Sequence, residues 1–179
     1  MEIGFMKKSI GLWQLSGYAV TVLLGTLLHF MYDWLDGALW IAPFSGVNES
    51  TWEHMKLFFW PAFLFAVLQS FFFRERKDFW LIKLRGILSG LIMIPVLFYT
   101  YNGVIGKSPD WINISIFFVA SAIAFIYEYR LFASDEKTTG SKTVPIFSLL
   151  IIAAMFVIFT FATPTLEIFK DPISNSYGI

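Results

Sequence analysis

Asn48-Glu49-Ser50-Thr51-Trp52-Glu53-His54-Met55-Lys56 sets two carboxylates, an imidazole, an amine, an indole and an amide directly before the apolar run Leu57 to Phe73. The other histidine, His29, lies inside the preceding apolar run, four residues ahead of Asp33. Elsewhere Phe, Ile, Leu and Val dominate. The 179 residues are 57% hydrophobic and 20% aromatic but only 15% charged, against about 25% charged in an ordinary soluble domain. So few charges cannot cover a soluble surface that must also hide 21 Phe and 7 Trp. A bilayer removes the difficulty, because lipid faces apolar side chains directly. The zero net charge gives no basic excess for nucleic acid. The absence of cysteine excludes disulfides, cysteine-ligated zinc and thiol catalysis.

Working outward from that stretch, the pattern predicts an all-α bundle of five transmembrane helices, over about 10–34, 51–73, 79–102, 111–129 and 144–162, in a single membrane domain spanning 1–179. Lys7 and Lys8 precede an apolar run as in a signal peptide, but the run reaches Trp34, beyond the 7–15 residues of such a segment. It reads as a retained first helix. Gly17, Thr21, Gly25, His29 and Asp33 follow one another at i+4 steps, so small residues that admit a neighbouring helix share a stripe with His29 and Asp33. Gly86 and Gly90 form a second close-packing pair. Ser50 followed by Glu53 matches a capping box, in which hydroxyl and carboxylate satisfy backbone donors reciprocally. Asp135 to Gly140 reads as a solvated loop, and the tail from Thr163 as an ordered, turn-rich segment.

Of the 13 Lys and Arg, all but Lys56, Lys107 and Lys170 fall in the N-terminus and in the segments following the second and fourth helices. The positive-inside rule then puts the N-terminus in the cytoplasm and the C-terminus outside, in a multi-pass protein of the cell membrane. His29, Asp33, Asn48, Glu49, Trp52, Glu53, His54 and Lys56 consequently gather at the outer face as a candidate polar cluster.

Three readings of that cluster stay open. His29, His54, Asp33 and Glu49 or Glu53 supply the imidazole and carboxylate donors that zinc, iron or manganese take, so a divalent metal is the candidate cofactor. Against this, Glu53 and His54 are adjacent on a helix and point about 100° apart. A capping role for Ser50 and Glu53 and interfacial pairing of His29 with Asp33 explain the same residues without a ligand. The second reading is a structural protein that binds a protein partner, or another copy of itself, besides the lipid bilayer. The third is proton or small-solute handling through His29 and Asp33, with Glu49 and His54 above them forming a protonatable chain that opens outward. In that reading the inner halves of the helices show no matching buried charge, and Glu128 is taken as surface-paired beside Arg130. Five spans do not divide into inverted repeats.

The motif Glu49-Ser50-x-Trp52-Glu53-His54-x-Lys56 resembles a family of small bacterial multi-pass membrane proteins known only as a domain of unknown function. Leu28-His29-Phe30 with Tyr32, Tyr99-Thr100-Tyr101 before Gly103 to Lys107, and the ending Asp171-Pro172 to Tyr177-Gly178-Ile179 extend the resemblance over nearly the whole chain. It implies a bacterial integral membrane protein and brings no activity with it.

Overall fold

A computed structural model describes residues 2–134 and 142–179. The described residues form five α-helices, α1 (Glu2–Trp34), α2 (Thr51–Ser70), α3 (Phe79–Val104), α4 (Asp110–Ala133) and α5 (Thr143–Phe161), followed by a 3-10 turn, Glu167–Phe169. Four of them are long and apolar enough to cross a membrane: Ser9–Trp34 within α1, α3, Trp111–Ala133 within α4, and α5. α2 carries Glu53, His54, Lys56 and Gln69, which dilute its hydropathy, and those polar groups are turned toward protein. Glu53 is 3% exposed, and Lys56 and Gln69 are 0%.

Two helices extend past their expected limits. α1 starts at Glu2, because no proline precedes residue 10 and Lys7 and Lys8 favour a helix, which outweighs the lower propensity of Gly4. α4 runs on to Ala133, since Arg76 reaches across to the carbonyl oxygens of Leu131 and Phe132 and Phe132 is buried against Phe79. α2 instead stops at Ser70, ahead of Phe73: the Ser70 hydroxyl donates to the Val67 carbonyl, and the amides of Phe72 and Phe73 turn back onto Gln69. The polar stretch Asp135 to Gly140 lies outside the described residues.

α2 is the centre of the bundle, touching α1, α3, α4, α5 and the 3-10 turn, while α1 and α3 each also pack against α4. The shared core is aromatic, with Phe58 and Phe59 of α2, Phe117 and Phe125 of α4 and Phe156 of α5 buried together. Large aliphatic side chains such as Leu23, Ile92, Ile114 and Ile151 remain exposed on the outside of the bundle, the distribution expected where lipid is the solvent.

The glycine stripe of α1 sets how closely α1 and its neighbours approach. A Cβ at Gly25 would stand 2.6 Å from the Phe117 ring and 2.9 Å from the Leu57 carbonyl oxygen. That carbonyl lies one turn before Pro61, which has no N–H to offer it, so the backbone of α1 comes closest where α2 lacks a helical hydrogen bond. On α3, Gly86 accepts Glu128 and Gly90 accepts the Phe58 ring, both within the same chain.

The tail folds back over the start of α2. Asp171 organises it as a turn, accepting from the Ile173 amide at 2.8 Å and from the Ser174 hydroxyl at 2.6 Å. Phe169 and Trp52 pack as tilted rings with centroids 4.6 Å apart, and Asn48 donates to the Gly178 carbonyl at 3.0 Å.

Candidate functional site

The capping stretch forms as half of the expected box. The Ser50 hydroxyl accepts from the Glu53 amide, at a long 3.4 Å. The reciprocal bond is absent, because Asn48 Oδ1 takes the Ser50 amide at 2.9 Å in a local turn. The Glu53 carboxylate is free to go elsewhere. It accepts from the Val47 amide at 3.0 Å and pairs with Lys56 Nζ at 2.5 Å. Lys56 in turn donates to the Ala42 carbonyl at 2.7 Å and to the Thr160 hydroxyl at 3.2 Å. Glu53 and Lys56 thus tie the 35–50 connection to α2 and α5 and stand apart from the histidines. Their work is structural, since a buried ion pair survives only where its remaining hydrogen-bonding capacity is used.

The histidines come together with Glu49. His29 Nε2 stands 3.5 Å from Glu49 Oε1, and His54 Nε2 stands 3.6 Å from Glu49 Oε2. The two imidazole centroids are 5.7 Å apart, and one donor atom from each of the three residues lies within 4.8 Å of the others. Three separate segments supply the groups: the last turns of α1, the connection, and the first turn of α2. Asp33 does not join them. It lies on the exposed side of the end of α1, so its pairing with His29 gives way to Glu49. Trp52 also faces away, toward Phe156 and Phe169.

Local folding explains the placement. The Ser45 hydroxyl donates to the Leu28 carbonyl and accepts from the Tyr32 amide at 2.9 Å, entering between two groups that a regular helical turn would join directly. The Gly46 amide bonds the same Leu28 carbonyl at 3.3 Å. The connection is therefore pinned to α1 beside His29, and the Asn48 turn then directs Glu49 back toward it. His54 Nδ1 lies 2.9 Å from the Ser50 carbonyl oxygen. A carbonyl only accepts, so Nδ1 carries the proton, and a neutral ring presents the Nε2 lone pair to Glu49. A lone pair facing a carboxylate calls for a group between them that satisfies both acceptors: a second proton, a water donating to each, or a metal ion.

Both imidazoles line a cavity of about 200 Å³ between α1, α2 and α4, whose other walls include Thr26, Leu57, Asn113 and Phe117. Asn113 is held by the Ser108 hydroxyl at 2.7 Å, and Ser108 is held by Asn102 at the end of α3.

At the opposite end of the bundle the expectation for Glu128 is overturned. Glu128 is 2% exposed and pairs with Lys83 Nζ at 2.5 Å, not with Arg130. Residues two apart on a helix point to different faces, and the face of α4 bearing Glu128 also bears Phe117, Ser121 and Phe125. That shared stripe was the available sequence signal. Lys83 is likewise no surface charge: it is 1% exposed, with its Nζ 5.6–6.0 Å from the ring centroids of Phe65, Phe79, Phe125 and Phe132. The half of the bundle away from the histidines therefore does hold buried charge.

A family model described as a family of unknown function (DUF6512) matches residues 4–179. No curated protein and no solved structure matches the chain.

Proposed function

The chain belongs to the DUF6512 family, whose function is not established, and we propose that it is a five-span membrane protein that holds a divalent metal ion at its outer face through His29, Glu49 and His54. The observation that carries this reading is the meeting of three donors from three segments, with the His54 tautomer set by the Ser50 carbonyl. Metal ligands at about 2.0–2.1 Å in a tetrahedron stand about 3.3 Å apart; one donor atom from each of the three residues already lies within 4.8 Å of the others, so small side-chain shifts close the set around an ion. Two imidazoles and one carboxylate suit zinc, iron or manganese, and three protein ligands leave a coordination position open. The cavity beside both rings gives a small molecule access to that position.

The crossing of α2 is supported by its length, about 30 Å at helical rise, which equals the thickness of the hydrocarbon core. The charge asymmetry supports a cytoplasmic N-terminus and an external C-terminus in the cell membrane. Removing the buried Lys83 from the count leaves that asymmetry intact.

Metal analysis of the detergent-purified protein, wild type beside His29→Ala and His54→Ala, tests the proposal. Near-stoichiometric metal in the wild type, lost from both folded variants, is the expected result. Metal-free protein after purification in metal-supplemented buffer would refute it and return the three residues to pairing and capping.

A further inference from the structure

Beneath the histidines, α1 and α4 meet in a register that repeats. Gly25 faces Phe117 and Gly17 faces Phe125, with ring atoms 2.6 and 2.5 Å from where a Cβ would stand. One turn above Gly25, His29 and Asn113 line one cavity. The same register sets Thr21 opposite Ser121 and Gln14 opposite Glu128. Polar rungs therefore alternate with glycine–phenylalanine rungs along the seam, from the outer cluster to the inner ion pair.

These polar groups are not satisfied by the protein. Thr21 and Ser121 are both 0% exposed, and neither hydroxyl has a hydrogen-bond partner. The amides of Gln14, 4% exposed, and of Gln69, 0% exposed, are also unpartnered at both oxygen and nitrogen. Elsewhere in the bundle hydroxyls return to the carbonyl one turn back: Thr26 to Val22 at 2.8 Å and Ser115 to Trp111 at 2.7 Å. Thr21 and Ser121 have that bond within reach and do not make it. Unpaired polar atoms in the interior of a membrane bundle are costly, and they are the partners that buried water requires.

We propose that the α1–α4 seam is a proton-conducting water file, running from the His29–Asn113 rung through Thr21 and Ser121 to the Lys83–Glu128 pair. Successive polar rungs are eight and then seven residues apart, about 12 and 10.5 Å at helical rise, so about three to four waters bridge each interval once its ring has turned aside. Phe117 and Phe125 occupy those intervals over Gly25 and Gly17, and turning either ring opens its section. At the inner end, Lys83 and Glu128 form an ammonium–carboxylate pair. A proton arriving along the file converts the carboxylate to the acid, and its release on the inner side regenerates the carboxylate. Gln14, opposite Glu128 on α1, offers an amide oxygen and nitrogen that hold the last water beside the carboxylate, and that water passes the proton. The proposal does not depend on the metal site, since every group that it uses below His29 lies outside that cluster.

The test is proton flux into proteoliposomes that enclose a pH-sensitive dye, driven by a potassium diffusion potential and run with a chelator present. The wild type should acidify the lumen faster than empty vesicles do. Thr21→Val combined with Ser121→Ala should cut the flux about tenfold or more, because the central hydrogen-bonding positions are gone. That variant removes two unpartnered buried hydroxyls, so its melting temperature should be equal to the wild type or higher, which separates lost conduction from lost folding. Glu128→Gln should abolish flux. Wild-type vesicles no leakier than empty ones would overturn the proposal, as would a Thr21→Val/Ser121→Ala protein that conducts like the wild type.

Discussion

Lys56→Met is the substitution that most directly tests how the histidine end of the bundle is held together. The Lys56 side chain is wholly buried, with Nζ 2.5 Å from Glu53, 2.7 Å from the Ala42 carbonyl and 3.2 Å from the Thr160 hydroxyl. Methionine fills the space of the aliphatic stem and removes the charge. Glu53 is then left buried, with the Val47 amide at 3.0 Å as its remaining hydrogen-bond donor. Removing one partner of a buried ion pair costs about 3–5 kcal/mol, most of it the cost of the charge left behind. In the double variant Glu53→Gln/Lys56→Met that charge is gone, and the glutamine oxygen still accepts from Val47. The remaining loss is the neutral hydrogen bonding to Ala42 and Thr160, about 1–2 kcal/mol. The second substitution therefore restores about 2–3 kcal/mol of what the first removes. Reversible unfolding in mixed micelles measures each free energy under one set of conditions. A Lys56→Met cost below about 1 kcal/mol, or a double variant no more stable than the single, would refute the structural role assigned to this pair.

Two further outcomes follow from the packing and from the metal proposal. Gly25→Ala should cost about 1–3 kcal/mol, because the new methyl meets the Phe117 ring and the Leu57 carbonyl oxygen together, whereas Gly11→Ala, whose nearest neighbour would be a Tyr129 ring atom at 3.7 Å, should stabilise the helix by about 0.4–1 kcal/mol; thermal denaturation of both variants checks the contrast. Glu49→Gln should weaken zinc binding by at least about 10- to 100-fold in titration calorimetry, while Asp33→Asn, which alters an exposed carboxylate outside the cluster, should leave the affinity unchanged.

Much of the polar cluster was legible because its spacings are local. His29 had to lie on the small-residue stripe of α1, and Ser50 had to start α2, since helical periodicity and capping chemistry act over three or four residues. The division of labour inside the motif was not legible. Glu49, Glu53, His54 and Lys56 sit within eight residues of one another, yet Glu49 goes to the histidines and Glu53 to Lys56. The choice depends on Asn48, which takes the Ser50 amide and frees the Glu53 carboxylate to reach Val47. Asp33 was placed with His29 because the two are one helical turn apart, but Ser45 enters that turn and brings Glu49 instead.

By itself, the sequence determined that this chain packs as apolar helices with a polar end. Long apolar runs, sparse charge and small-residue stripes act through the solvent and through the helix backbone, both of which are read residue by residue. Only the tertiary structure decided which charges meet. Lys83 and Glu128 are 45 residues apart in the chain, and nothing local to either residue names the other. Their pairing follows from how far α3 and α4 slide past each other, which Gly86 of α3 permits by accepting the Glu128 side chain of α4. The alignment of Thr21 with Ser121 has the same origin: Phe117 and Phe125 seat over Gly25 and Gly17, and side-chain volume across the seam sets the register.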